Sequence, residues 1–149
     1  MTAPPEDDEA LVIRRRIAAS RDEVFDAWTD ATGMRQWMCP GDIVSALVHV
    51  DARVGGAFRV VMHGPTGAYE HWGEFTTIDR PSRLAFTWCA KATDFAPTLV
   101  TLELFEAPNG HCDLVLRHER FPRPDARDQY RGGWGQIVTR LESFLRAPR

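Results

Sequence analysis

Hydrophobic and polar positions alternate with a period of two through most of the chain. From Ile43 the period changes to two and the content of β-branched and aromatic residues rises, which is typical of half-buried strands. The pattern predicts strands at about residues 43–50, 56–63, 68–78, 83–90, 97–106 and 111–120. A further strand is predicted near the start, where Leu11, Ile13 and Ile17 alternate with more polar neighbours.

Short connectors with turn chemistry separate most of these strands. Gly55-Gly56 ends one connector, the segment from Gly64 to Gly67 is typical of a hairpin loop, and Asn109-Gly110 is a strong hairpin signal. Connectors this short imply that neighbouring strands are antiparallel. The segment from Ala90 to Pro97 is longer, so we expect it to border a site, with Phe95 acting as a lid or a plug.

Helical spacing occurs in two places. After the first strand, Ser20 and Glu23 form a capping-box motif, and the apolar stripes behind it predict two short helices that end by Pro40. Near the C terminus, apolar residues from Trp134 to Leu145 recur at helical spacing and predict a helix from about 125 to 146. Gly132-Gly133 inside this helix indicates a close approach to the sheet, a kink or room for a ligand, unless the helix begins near Gly133.

Length and charge limit the classes of protein to which this chain can belong. The 149 residues fit one domain, expected at 10–149 after a disordered acidic tail at 1–9. A net charge of −3 without a clustered basic face argues against nucleic acid as a partner. No apolar run approaches the roughly 20 residues that span a bilayer, and the start lacks the features of a secretory signal. We therefore expect a cytoplasmic protein that does not insert into membranes.

Cysteine and histidine spacing gives no sign of a disulfide framework or a metal site. Cys39, Cys89 and Cys112 are odd in number and widely spaced, which predicts reduced thiols buried as small hydrophobic residues. The five histidines show no metal-ligand spacing, and motifs such as HExxH, CxxC and GxSxG are absent. No metal and no cofactor are predicted.

Several short motifs, taken in order, resemble a known superfamily. They are Ile17-Ala18-Ala19-Ser20, Glu23-Val24-Phe25-Asp26-Ala27-Trp28, Met34-Arg35-Gln36-Trp37, Val54-Gly55-Gly56-Ala57-Phe58, Gly73-Glu74-Phe75, the segment from Ile78 to Trp88, His118-Glu119-Arg120-Phe121 and Gly133-Trp134. This order is similar to that of START-like, Bet v 1-like (SRPBCC) proteins, in the branch of the C-terminal domain of Hsp90 ATPase activators. The resemblance covers residues 11–146 and implies an α+β helix-grip fold. In that fold a seven-stranded curved antiparallel sheet surrounds a long C-terminal helix, with two short helices after strand one.

Strand alternation then suggests which side chains face the helix. If Phe86 and Trp88 point inward on one strand, Leu116 and His118 share the inner face of the last strand. His118 could contact a ligand, act as an acid or base, or be structural. Trp88 and Trp134 are expected to line one space and to offer an indole N–H to a ligand, although core packing explains them equally well.

A second group of candidates lies on the two strands before Phe86. Phe58 and His71 complete the predicted ligand-binding set. His71 is expected on one face of its strand, with Trp72 and Glu74 on the other. If Glu74 instead points inward, it is a buried carboxylate that needs a partner.

Three functions compete on this evidence. The leading one is a non-catalytic protein that binds a small hydrophobic or amphipathic molecule between the sheet and the C-terminal helix. The second is a cyclase- or hydrolase-like enzyme, in which His118 works with Glu74 or Tyr69 and these groups converge within about 3 Å of a reacting position. The third is a co-chaperone-like interaction module, which predicts an exposed apolar patch instead of a pocket.

Two further expectations concern partners. The resemblance implies an Hsp90 role mainly where a separate N-terminal Hsp90-binding domain is present, and 149 residues leave no room for one. The sequence leaves the oligomeric state open, including a homodimer through an exposed strand or helix.

Overall fold

The computed structural model describes residues 10–146, which form a curved antiparallel sheet packed around one long helix. The strands are β1 Leu11–Ile17, β2 Ser45–Val50, β3 Ala57–Gly64, β4 Gly67–Asp79, β5 Arg83–Ala90, β6 Thr98–Ala107 and β7 His111–Glu119. The α-helices are α1 Arg21–Ala27, α2 Ala31–Trp37 and α3 Pro124–Arg146. The predicted elements are confirmed, and those with predicted bounds differ from the observed ones by at most two residues. The predicted tail at 1–9 lies outside the described residues.

The sheet has the strand order β1-β7-β6-β5-β4-β3-β2. Every neighbouring pair is antiparallel, as the short connectors predict. Because β1 pairs with β7, the first and last strands lie side by side, and Leu11 faces His118 across the ladder. The helices α1 and α2 carry the chain from this edge of the sheet to β2 at the opposite edge.

The short helices begin at well-formed caps. The Ser20 hydroxyl accepts a hydrogen bond from the Glu23 backbone N–H at 3.1 Å, and the Glu23 carboxylate accepts one from the Ser20 N–H at 3.1 Å. Asp30 caps α2 by accepting from the Thr32 N–H at 3.1 Å. These bonds satisfy donors that a helix start leaves free. The caps fix the two helices that bring the rings of Trp28 and Trp37 to 4.8 Å in the core.

The hairpin between β6 and β7 turns at Asn109-Gly110, as predicted. The loop has three residues, because Ala107 pairs with His111, and Asn109 and Gly110 both adopt positive φ, 64° and 73°, which Asn and Gly tolerate best. The turn sets the register that places Val100 opposite His118. A local sequence signal thereby fixes which strand residue lies beside this histidine.

The helix α3 buries one face against the sheet, through Trp134, Ile137, Val138 and Leu141. It begins at Pro124, so the alternative start near Gly133 is wrong. A Cβ added at Gly132 or Gly133 would meet no atom within 4 Å, so the predicted close approach of the helix to the sheet is also wrong. Within residues 10–146, no helix is long and apolar enough to cross a bilayer.

The three cysteines are free thiols in different surroundings. Cys39 and Cys112 are buried, as predicted, and burial raises the pKa of the Cys112 thiol to about 11. Cys89 is only half-buried, because it lies opposite the partly exposed Trp72 on the outer face of the sheet. The prediction of a buried thiol is therefore wrong for Cys89.

Candidate functional site

A cavity of about 340 Å³ lies between α3 and the inner face of the sheet and is partly open to solvent. Its lining consists of Pro40, Ile43, Met62, Tyr69, His71, Trp88, Ala92, Gln129, Tyr130, Gly133, Trp134 and Ile137. Among the described residues, this lining includes no Asp, Glu, Lys or Arg. The volume falls at the lower end of the roughly 300–1,000 Å³ that small-molecule sites occupy.

Three of the predicted ligand-binding residues form an aromatic wall of this cavity. The ring centroids of Trp88 and Trp134 are 5.1 Å apart, and those of His71 and Trp88 are 4.8 Å apart. Tyr69, predicted only as a catalytic candidate, lines the same space at its exposed rim. Alternation along β5 therefore identified the inner face for Trp88, and the helical spacing of α3 identified the buried stripe that contains Trp134.

Phe58, Phe86 and Leu116 do not line the cavity, which corrects the predicted ligand-binding set. Phe58 and Phe86 pack edge to face at 5.1 Å and border only a deeper void of about 10 Å³. Leu116 is fully buried in the core. The physical reason is that these side chains lie deeper along the sheet, where Trp28, directly after α1, and neighbouring core side chains fill the space.

His118 lies at the centre of a buried hydrogen-bond chain. The Trp134 indole N–H donates to His118 Nδ1 at 3.0 Å, and His118 Nε2 lies 2.7 Å from the Thr98 hydroxyl oxygen. The Thr98 hydroxyl donates to the Trp88 carbonyl oxygen at 2.5 Å. Because an indole N–H can only donate, Nδ1 is the acceptor and the neutral ring carries its proton on Nε2. Burial lowers the pKa of His118 to about 3, so this neutral form persists at physiological pH.

The hydrogen-bond chain leaves His118 without a free ring nitrogen. Its side chain is fully buried and lies outside the cavity lining, behind Trp134 and Tyr130. Of the three roles considered for His118, the geometry matches the structural one. By accepting from Trp134 and, through Thr98, reaching the backbone of Trp88, His118 positions both tryptophans of the cavity wall.

The groups proposed for acid–base catalysis do not converge. Glu74 is exposed on the outer face of β4, so the interpretation that places it inward is wrong. The Tyr69 hydroxyl is hydrogen-bonded to the Thr66 hydroxyl at the cavity rim, away from the buried His118. Within residues 10–146, no group of three or more His, Cys, Asp or Glu side chains is arranged to hold a metal ion.

Tyr130 is the polar residue of the cavity wall that sequence reasoning missed. Its hydroxyl oxygen accepts a hydrogen bond from the Trp88 indole N–H at 3.1 Å, and burial raises the pKa of the phenol. Tyr130 lies one helical turn before Trp134, and Ile137 continues the same stripe. The missed signal was therefore an i, i+4 extension of the predicted apolar stripe toward the start of α3.

His71 is the second polar group of the buried wall. Its Nδ1 lies 3.4 Å from the Val60 carbonyl oxygen, and burial lowers the pKa of the imidazole to about 4. His71 is therefore neutral at physiological pH. It contributes a polar edge to the cavity without contributing charge.

The loop between β5 and β6 borders the cavity, as predicted, but through Ala92. Phe95 is 62% exposed and stacks on Trp72 on the outer face, with ring centroids 6.1 Å apart. Asp94 and Phe95 both adopt positive φ, 55° and 60°. This backbone turns the Phe95 ring away from the cavity, so its predicted role as a lid or plug is wrong in this conformation.

Comparison with known proteins places the chain in a family. Residues 18–146 match the family model described as Activator of Hsp90 ATPase homolog 1-like protein. The chain belongs to this family. The match includes all three helices and every strand except β1, and it confirms the predicted branch of the superfamily. No curated protein sequence matches the chain.

Solved structures similar to this family member share its whole architecture. A protein from Chromobacterium violaceum is 21% identical with a TM-score of 0.84, over 95% of this chain and 99% of that one. A protein from Rhodobacter sphaeroides is 23% identical with a TM-score of 0.81, over 98% of both chains. An HSP90 activator from Plasmodium falciparum is 23% identical with a TM-score of 0.76, over 94% of this chain and 98% of that one. At these identities the likeness establishes the helix-grip fold and leaves function to the site.

Proposed function

We propose that this family member binds a small hydrophobic or amphipathic molecule in the cavity between the sheet and α3. The observation that carries the proposal is the cavity of about 340 Å³ with an aromatic and aliphatic wall. Apolar surface that a ligand buries there would contribute roughly 25 cal/mol per Å². The aromatic wall supplies the largest contact area, from Trp88 and Trp134.

A glycine on the helix supports this function. Gly133 lies inside α3, where glycine costs roughly 1 kcal/mol relative to alanine. A Cβ at this position would meet no atom within 4 Å, and Gly133 lines the cavity. Packing against the sheet therefore does not require glycine, whereas a larger side chain would take up cavity volume.

The hydrogen-bonded wall also favours binding. The chain from Trp134 through His118 and Thr98 to the Trp88 backbone holds the wall in place without a ligand. A site that is already ordered loses less conformational entropy when a ligand binds. His118 has this supporting role in the proposed function, and no catalytic step is proposed for it.

One feature favours the interaction alternative. Trp72 and Phe95 stack on the outer face of the sheet and remain 37% and 62% exposed. Aromatic residues of this kind are enriched at protein interfaces. If a protein partner uses this face, Trp72→Ala abolishes its binding and leaves small-molecule binding unchanged, as a pull-down and a ligand titration on the same samples can measure.

The proposed function is tested with one cavity variant and one matched control. The neutral fluorophore N-phenyl-1-naphthylamine is titrated into wild-type protein, Gly133→Leu and Gly132→Leu. Gly132 is the control because it is exposed and lies outside the cavity lining. We expect Gly133→Leu to weaken binding at least about tenfold, which corresponds to roughly 1.4 kcal/mol, and Gly132→Leu to retain the wild-type affinity.

Native mass spectrometry of the same three proteins complements the titration. A molecule retained by wild-type protein and by Gly132→Leu, but not by Gly133→Leu, supports the cavity as its site. The proposal fails if wild-type protein does not bind the fluorophore, or if Gly133→Leu binds it with the wild-type affinity.

A further inference from the structure

We propose that the cavity selects uncharged molecules carrying a hydrogen-bond acceptor oxygen, and that the Tyr130 hydroxyl is the donor that binds this oxygen. This inference rests on the proposed function and specifies the class of ligand. It assigns a specificity-determining role to a residue of α3 that forms part of the cavity wall.

Trp88, Tyr130 and Trp134 each carry one hydrogen-bond donor in the cavity wall. The Trp134 N–H donates to His118, and the Trp88 N–H donates to the Tyr130 oxygen at 3.1 Å. Because Trp88 can only donate, Tyr130 accepts in that bond and keeps its own hydrogen for another partner. Among residues 10–146, the Tyr130 hydroxyl forms no other hydrogen bond. Of these three aromatic donors, the Tyr130 O–H is the one available to a ligand.

The Tyr130 ring is held in place by its neighbours. Its centroid lies 5.1 Å from that of His118 and 5.8 Å from that of Phe121, while the hydroxyl is tied to Trp88. A donor fixed in this way discriminates between ligands, because an analogue without the acceptor leaves the donor unpaired in a desolvated site. Gln129 also lines the cavity but is exposed at the mouth, and its amide can either donate or accept.

The cavity wall also discriminates between ligands by charge. The described lining residues include no Asp, Glu, Lys or Arg, and the one histidine among them, His71, is neutral because burial lowers its pKa to about 4. The nearby Lys91 is exposed and lies outside the lining. A carboxylate entering the cavity would therefore lose hydration without meeting a counter-charge, which is strongly unfavourable. An ammonium group would also lose hydration there without meeting a counter-charge.

Three probes with the same naphthalene ring and the same number of non-hydrogen atoms test the inference. They are 2-acetylnaphthalene with a carbonyl acceptor, 2-isopropylnaphthalene without an acceptor, and 2-naphthoate with a negative charge. Each is titrated into wild-type protein and Tyr130→Phe at pH 7. Tyr130→Phe keeps the ring and removes the donor, and the hydrocarbon reports whether the variant cavity is intact.

We expect Tyr130→Phe to weaken binding of the ketone by about tenfold and to change binding of the hydrocarbon by no more than about twofold. In wild-type protein, naphthoate should bind at least about a hundredfold more weakly than the ketone. The naphthoate comparison needs no variant, so it holds even if Tyr130→Phe folds poorly.

The outcomes separate this inference from the proposed function. If the hydrocarbon and the ketone bind wild-type protein but Tyr130→Phe weakens both equally, the donor role is wrong and the binding function stands. If naphthoate binds as tightly as the ketone, the selection for uncharged molecules is wrong and the binding function again stands. If none of the three probes binds wild-type protein, both proposals are overturned.

Discussion

At the residue scale, His118 and Tyr130 show that bonding partners determine the role of a polar side chain. His118 is the residue type most often used for acid–base chemistry, but both of its ring nitrogens are hydrogen-bonded in the core. Tyr130 is less conspicuous in the sequence, yet its hydroxyl lies at the cavity with a hydrogen left to donate. From residue type alone, His118 would be expected to act at the cavity and Tyr130 to be structural, which is the reverse of what their hydrogen bonds indicate.

The buried histidines predict a pH dependence of stability. Burial lowers the pKa of His118 to about 3 and of His71 to about 4, from an ordinary value of 6.5. Below pH 6.5 the unfolded chain therefore binds protons that the folded protein does not. The stability present above pH 6.5 should fall by roughly 1.4 kcal/mol per pH unit for each histidine, until the pH nears the folded pKa.

Urea unfolding between pH 7 and pH 4.5 measures this dependence. His118→Gln keeps a donor and an acceptor in the side chain but does not titrate, so its pH slope should be smaller by roughly 1.4 kcal/mol per unit. The neighbouring core variant Leu116→Val should lower the free energy of unfolding by about 1 kcal/mol at every pH and leave the slope unchanged. An unchanged slope in His118→Gln would mean that His118 takes up its proton in the folded state.

At the element scale, glycines have opposite consequences in α3 and β4. Gly132 is exposed in the helix, and an added Cβ would meet no atom within 4 Å. Gly73 lies in β4 between Trp72 and Phe75, which both pair with β5, and a Cβ there would lie 1.9 Å from the Thr87 carbonyl oxygen and 2.8 Å from the Phe58 ring. The helix therefore tolerates a side chain at Gly132, whereas the strand pair does not tolerate one at Gly73.

Replacing Gly132 and Gly73 with alanine should change the free energy of unfolding in opposite directions. Gly132→Ala should raise the free energy of unfolding by about 0.5–1 kcal/mol, because alanine restricts the unfolded chain and favours the helix. Gly73→Ala should lower it by about 2 kcal/mol or more, because backbone atoms must move to relieve the clash. Chemical denaturation of the two variants measures both changes. A destabilised Gly132→Ala would show that α3 needs glycine at that position for a reason other than space.

At the scale of the whole molecule, local patterns predicted the elements and the faces of the sheet. Period-two alternation correctly placed Trp88 and His118 on the inner face, and turn residues such as Asn109-Gly110 marked the connections. These features depend on residues close together in the chain, so a single sequence contains them. The α+β helix-grip fold was implied by the resemblance to START-like, Bet v 1-like proteins, and the order of the predicted elements is consistent with it.

The site required information that local patterns do not contain. Phe86 and Trp88 share a face, but only the packing of α1 and α2 decides which of them borders the cavity. The hydrogen bond that occupies His118 Nδ1 comes from Trp134, on a different element. Depth along the sheet and the pairing of polar groups are tertiary properties, so face assignments could not separate His118 from the cavity-lining residues.

Binding and folding are linked across the whole molecule, because the cavity exists only when α3 lies against the sheet. A ligand that binds only the folded protein should raise the free energy of unfolding by about 2.7 kcal/mol at a free concentration one hundred times its dissociation constant. We expect this shift for 2-acetylnaphthalene with wild-type protein and with Gly132→Leu, measured by urea unfolding. At that same concentration the shift should be clearly smaller in Gly133→Leu, whose added side chain takes up cavity volume. An equal shift in Gly133→Leu would mean that the molecule binds elsewhere on the protein. A shift that is lost in Gly133→Leu but retained in Gly132→Leu would mean that it binds between α3 and the sheet.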